Sequence, residues 1–265
     1  MIYIHKANLP ETMAKYYKRQ IDNNLLPKYA GEWGKKEYPQ IATQEQSSLC
    51  CYCMQEITPE HCSIEHFLPN SFYIEEVANY YNLFAVCTYS KGKTEKFQHC
   101  DAGDAKAHKI IPKYISHPKC ETFFAYNNAG EILPYCNFKS IESCVKNYVN
   151  VNFTNEQRIV LATIEVLKLN VDSLKEQRKS FYEIFTPKIA AMTNEILLIE
   201  LQNYYDKKDN LQSEKFCGLY FYLLRMQLEQ RGETKKYKEI VDKWAEKNKI
   251  NRTHTVITHK IEKEQ

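Results

Sequence analysis

Ser63-Ile64-Glu65-His66-Phe67-Leu68-Pro69 sets a carboxylate directly before a histidine, at the end of a short apolar run and just ahead of a proline. That pairing suits metal-assisted hydrolysis of a phosphodiester. An imidazole titrating near neutrality can take a proton from an attacking water, which makes His66 the candidate general base. Glu65 can hold a divalent cation, magnesium or manganese, that polarises the scissile phosphate and stabilises the leaving oxygen. Adjacent strand residues point to opposite faces, so the two share one site only where the strand twists or the backbone contributes.

A second chemistry is written in the cysteines. The chain opens Met-Ile-Tyr-Ile-His-Lys without the pattern of a signal peptide, and no apolar run reaches the roughly 18 residues a membrane helix requires. A cytoplasmic location away from any membrane is therefore expected, and there thiols stay reduced. Ten cysteines then call for a metal rather than disulfides. Cys50-x-x-Cys53 can grip one tetrahedral zinc on a tight turn, and a second pair must complete the shell. Cys87 and Cys100 are the best candidates, with Cys51, Cys62 and His99 as possible substitutes for one ligand. Cys120, Cys136, Cys144 and Cys217 have no partner at ligand spacing and read as buried thiols. His108, His117, His254 and His259 read as surface or loop residues, and His61 lies close enough to the motif for a supporting role.

The elements that must position these groups fall into three segments. Residues 1–47 hold a short helix over 10–28, with Pro10 in its first turn, and a polar connection over 29–47. Residues 48–150 are rich in cysteine and broken by prolines, with a hairpin predicted over 123–133 around Asn127-Asn128-Ala129-Gly130. Residues 151–265 carry helical periodicity, beginning with a capping box at Thr154 and Gln157. Asp172 starts a second helix through about residue 202, interrupted at Pro187. A third covers about 213–231 and stops at Gly232, and a last covers roughly 234–248. This half reads as a helical bundle, and its leucine and tyrosine stripes as core or interface. A net charge of +3 is uninformative, but seven lysines against three acidic residues between Thr88 and Lys119 can neutralise phosphates.

The order Cys-x-x-Cys, Glu65-His66, Asn79-Tyr80-Tyr81-Asn82-Leu83-Phe84, Cys87 and His99-Cys100-Asp101 resembles the HNH, or ββα-metal, nuclease motif. The resemblance implies an α+β fold: a zinc-stapled ββα-metal core with a short N-terminal helix and a C-terminal helical bundle. It implies Glu65 as a ligand of the catalytic cation, His66 as base, Asn82 as the residue that orients it, and Asp101 as second ligand on a helix running to Lys106. Lys91 and Lys106 are phosphate-contact candidates on chemical grounds. Two departures stand out. Asp101 occupies a position more often Asn or His, and the insertion between Cys87 and Cys100 leaves His99 or Asp104 as alternatives.

The wider layout, including Lys6, Pro10, Pro112-x-x-x-x-His117-Pro118-x-Cys120 and Phe124-x-Tyr126, is similar to the HNH subunits of Septu-type anti-phage systems. That resemblance implies a nucleic-acid substrate and an ABC-type ATPase partner, in some systems with a retron reverse transcriptase and its nucleic acid. It also implies that the helical segment docks the partner.

Overall fold

Leu83-Phe84-Ala85-Val86-Cys87 is a fully buried apolar run, too short for a stable helix and suited to a strand in the core. In the computed structural model it forms β2 (Leu83–Cys87), paired antiparallel with β1 (Cys62–His66). The register sets Cys62 opposite Cys87, Ile64 opposite Ala85, Glu65 opposite Phe84 and His66 opposite Leu83. The structure describes residues 1–6, 9, 11–25, 41, 45–69, 71–101, 115, 117–135, 153–209 and 214–248. Lys106, Asp104, His108, Cys136, Cys144, His254 and His259 lie outside them.

The expected second hairpin is present as β3 (Phe124–Tyr126) and β4 (Ile132–Pro134). Its turn is built by Asn127, whose side-chain oxygen accepts from the amides of Ala129 and Glu131. Among the described residues six α-helices complete a mixed architecture of helices and two small sheets. They are α1 (Glu11–Asp22), α2 (Asn155–Val166), α3 (Asp172–Ala190), α4 (Asn194–Asp209), α5 (Cys217–Gln230) and α6 (Thr234–Lys247). None is long and apolar enough to cross a membrane.

The caps explain where helices begin and end. Thr154 and Gln157 form the reciprocal capping box that starts α2, as their spacing predicts. The long second helix, however, does not break at Pro187, which sits inside α3. The break falls at residues 191–193, where Arg231 donates to the carbonyls of Ala190 and Met192 and Thr193 accepts from the amide of Ile196. A cation on the last carbonyls and a hydroxyl at the next start decide the boundary better than a proline does. The third helix starts at Cys217 rather than at 213, because Phe216 adopts a left-handed conformation (φ 56°). Helix α1 ends at Asp22, short of the expected residue 28.

Helix α5 is the hub. Leu219, Phe221, Leu223, Leu224 and Leu228 are buried along it, and α3, α4, α6 and β3 pack around it. Tyr222 on α5 lies in this core, as the apolar stripe of that helix suggested, and so do Tyr204 and Tyr205 on α4 and Tyr126 on β3. Met1–Ile4 also lie in it: the Ile4 amide donates to the Ile115 carbonyl, and Tyr3 packs edge-on against Trp244. Lys6 is buried between the Glu45 carboxylate, with which it is ion-paired, and the Leu83 carbonyl at 2.9 Å. Glu45 in turn accepts from the Tyr80 hydroxyl.

Arg178 joins the bundle to the second hairpin. Buried in α3, it donates to the Gly130 and Leu169 carbonyls at 2.7 and 2.6 Å. Gly130 (φ +78°) lies so close to α3 that a Cβ there would sit 2.0 Å from the Lys175 carbonyl oxygen. Gly130→Ala is expected to cost about 2–4 kcal/mol in urea denaturation, strain and backbone clash together. Gly232→Ala, at the same φ but in open space, is expected to cost only about 1 kcal/mol. Equal losses would contradict the packed contact.

Candidate functional site

Three segments deliver the four expected thiols. Cys50 and Cys53 lie on a turn whose amide at Cys51 donates to the Ala85 carbonyl, docking it on β2. Cys87 ends β2, and Cys100 sits in a turn with φ 60° whose amide donates to the Leu167 carbonyl at the end of α2. Cys100 and Asp101 themselves lie in a turn, and the rest of the helix expected from Cys100 to Lys106 falls outside the described residues. The sulfur atoms of Cys50, Cys53, Cys87 and Cys100 lie within 4.8 Å of one another, and all four residues are buried. The pairs Cys50–Cys100 and Cys53–Cys87 are 3.8 and 3.7 Å apart. A tetrahedron with Zn–S bonds of about 2.3 Å has edges of about 3.8 Å, which those two pairs match, so the thiols suit one zinc ion. Four soft donors with no open oxygen position mark a closed structural site.

The possible substitutes separate from this set. His99 is buried with Nδ1 3.3 Å from the Cys100 sulfur, beside the cluster rather than in it. Ser90 bonds both the amide and the carbonyl of His99, closing the loop between Cys87 and Cys100. Cys51 is buried, and Cys62 is half-buried across from Cys87. Cys120 and Cys217 are buried thiols, as expected. His61 is exposed with its ring tilted against that of Tyr89, and His117 is exposed. Burial opposes charge at Cys50 and Cys100. Hydrogen bonds, led by that from Cys100, outweigh it at Cys50 and hold that thiol well below its usual range. Burial, then donation to Cys50, holds Cys100 protonated. Filling the site with a divalent ion must expel the remaining thiol protons, so retention falls as pH falls.

The hairpin carries the second group. Glu65 is the one buried residue of β1, and a buried carboxylate requires a partner. It has one in Tyr52, whose hydroxyl donates to Oε1 at 2.6 Å. Tyr52 stands between Cys50 and Cys53 and is itself buried. Burial first, then the charges of Cys51 and Asp101, push its phenol well above the usual range, so it carries its proton and donates. Asp101 follows Cys100, is exposed to solvent, and lies near Lys91; the protein crowded around it pushes its carboxyl up against the pull of that ammonium.

His66 leaves the opposite face of the hairpin from Glu65. Its Nε2 lies 2.9 Å from the Val77 carbonyl oxygen. A carbonyl only accepts, so Nε2 carries the proton and Nδ1 the lone pair. Burial lowers its pKa below 6.5, partly offset by that carbonyl, and leaves the ring neutral at pH 7. Asn82 is buried and clamps the loop between the strands: it accepts from the Leu68 amide at 2.6 Å and donates to the Leu68 and Glu76 carbonyls. Those carbonyls lie two residues after His66 and one before Val77, at the two ends of the loop that carries the His66 contact. Lys91 is exposed near Asp101. Sequence reasoning missed Tyr52 and Gln46, which bonds the Ala85 amide and carbonyl along the outer edge of β2. The one available signal was the aromatic between the two ligands.

No family model matches the chain. Over 121 residues it is 30% identical to the Septu protein PtuB of Bacillus thuringiensis, covering 44% of this chain and 44% of that protein. The chain thus spans less than half the length of the curated relative it matches, and the likeness supports a Septu-like relation.

Purified protein is expected to carry about one zinc ion per chain by elemental analysis, and Cys53→Ser to lose it and unfold the region around β1 and β2. Cys62→Ser is expected to keep the ion. Loss in Cys62→Ser, or retention in Cys53→Ser, would contradict the ligand set.

Proposed function

We propose that the chain is a metal-dependent HNH endonuclease, built on a zinc-stapled ββα-metal core, that hydrolyses nucleic-acid phosphodiester bonds. The observation that carries this reading is His66: a neutral, half-buried imidazole held at Nε2 by a backbone carbonyl, next in sequence to a buried carboxylate. That tautomer supports proton abstraction at Nδ1 from an attacking water. Glu65 and Asp101 would hold a magnesium or manganese ion. Among the described residues neither belongs to a converging group of three or more metal-binding side chains. Two hard carboxylates still suit a cation that keeps several waters and takes substrate oxygens. That cation would supply Lewis acidity at the phosphate and the leaving oxygen. Lys91 and Lys106 would neutralise the phosphate backbone.

The resemblance to Septu-type HNH subunits, together with the PtuB likeness, supports a role as effector in an anti-phage complex with an ABC-type ATPase, in some systems with a retron reverse transcriptase. Exposed Ile184, Ile196 and Ile199 on α3 and α4 are candidate contacts for that partner.

One observation favours a second reading, a catalytically inactive zinc-stapled adaptor between an ATPase and nucleic acid. Glu65 and His66 leave opposite faces of the hairpin, and Glu65 already has a protein donor. Cleavage of mixed DNA and RNA with magnesium or manganese, alone and with an ATPase partner, decides between them. His66→Ala is expected to lower cleavage by about 100- to 10,000-fold with zinc and fold intact. Equal activity in both proteins, or none in the wild type, would overturn the nuclease reading. The neutral ring sets the pH dependence. Activity is present above the lowered pKa of His66 and lost as the imidazole protonates, so the acid limb of kcat/KM is expected below pH 6.5.

A further inference from the structure

We propose that the cleft between the loop over residues 88–99 and helix α2 holds an unpaired nucleobase, so that the nucleic acid this chain binds is single-stranded. The inference rests on the reading that the chain binds nucleic acid, and it stands apart from His66 and the catalytic cation. The loop is built before any ligand arrives. Ser90 bonds the amide and the carbonyl of His99 and closes its base, and Gly92 (φ 78°) turns it. Gln98 donates to the Lys93 carbonyl at 2.9 Å. Lys168, just past the end of α2, donates to the Glu95 carbonyl at 3.3 Å and pairs with its carboxylate at 3.0 Å. That contact occupies the one acidic side chain between Ser90 and Gln98. Lys91, Lys93 and Lys96 are exposed on the same short segment, with Asp101 near Lys91.

Cations on a preformed loop lose little freedom on meeting a chain of phosphates, which favours binding. Phe97 adds an exposed ring beside them, with the Lys96 ammonium 4.7 Å from its centre, and offers a flat face to a stacked base. The cleft next to the loop measures about 700 Å³, within the roughly 300–1,000 Å³ of ligand pockets. Phe153, Leu161, Ile164 and Val171 give it apolar walls, and Lys96 and Lys168 line it as well. Glu165, on the same face of α2 as Leu161, and Asp172, which pairs with Lys175, complete the lining. Carboxylates and apolar walls disfavour a phosphate inside, so the charge of the strand belongs on the loop. A base suits both: its faces are apolar, and the N–H groups of its edge donate to carboxylates, which only accept. In a duplex every base is paired and stacked, and must be extruded before it enters such a pocket. A single strand presents its bases without that cost.

The test uses the full-length, zinc-loaded protein without added divalent cation, so that nothing is cut. Binding of labelled oligo(dT), oligo(U) and a DNA duplex of equal length is followed by fluorescence anisotropy over a range of salt, with melting temperature measured on each variant. The single strands are expected to bind about tenfold more tightly than the duplex. Lys93→Ala and Lys96→Ala are each expected to flatten the plot of log affinity against log salt by about 0.7 for a single strand. Leu161→Lys adds a cation but fills the cleft. It is expected to remove the roughly tenfold single-strand preference while duplex affinity holds or rises. Glu165→Lys, at an exposed position, carries the same test if Leu161→Lys does not fold.

An unchanged preference in folded Leu161→Lys, or in Glu165→Lys, would overturn the cleft as the base site. Slopes unchanged in both lysine variants would overturn the placement of the strand on the loop. Equal affinity of the wild type for strand and duplex would overturn the single-strand assignment and leave nucleic-acid binding standing, whereas no binding to any of the three probes would overturn both. Displacement of oligo(dT) by polyglutamate as readily as by unlabelled oligo(dT) would make the surface a docking site for acidic protein and end the proposal.

Discussion

Four buried sulfur atoms within 4.8 Å of one another are the constraint from which the rest of this structure follows. Bringing buried thiols together without an ion is unfavourable, since burial opposes the charge they need. A structural zinc supplies an apparent 10–16 kcal/mol or so, comparable to the whole stability of an ordinary domain at about 5–15 kcal/mol. The ion would therefore decide whether the two short strands of the first hairpin exist at all. A two-stranded hairpin is at best marginally stable in water by itself. Here it is held at its open end, at Cys87, by the thiol cluster, along the outer edge of β2 by Gln46, and at its loop end by Lys6 on the Leu83 carbonyl.

The helices provide the floor for that cluster as well as any surface for partners. The Phe216 amide at the start of α5 donates to the Met54 carbonyl, just after Cys53, and the Cys100 amide bonds the end of α2. Gly218 lets α5 approach so closely that a Cβ would lie 2.9 Å from the Met54 sulfur. Gln55 reaches Gln177 on α3 at 2.9 Å. The cysteine segment and the helical segment thus share one continuous core with Met1–Ile4. The chemistry proposed for this chain centres on His66, which is held by the Val77 carbonyl on the connection between β1 and β2.

Legibility from the sequence followed the range of each interaction. Cys50 and Cys53 were readable because a two-residue spacing is set by local turn geometry. Cys87 and Cys100, thirteen residues apart, were candidates among several, and only folding separates them from Cys51, Cys62 and His99. The capping box at Thr154 and the hairpin at Asn127 were readable for the same local reason. The helix break near Pro187 was misplaced because Arg231, some forty residues away, caps the preceding helix; a long-range contact overrode a local signal. Met1–Ile4 offered too few residues for any period to register. Tyr52 looked like one of twenty tyrosines, because nothing local says that its hydroxyl meets a carboxylate on another strand.

Hydrogen exchange with mass spectrometry, on protein with its metal and after mild chelation, tests most directly whether the thiol site organises the hairpin. The expected result is loss of protection in residues 62–66 and 83–87 on chelation, with the amides of α3 and α5 retaining most of theirs. A hairpin equally protected with and without metal would contradict the dependence of this structure on the four thiols.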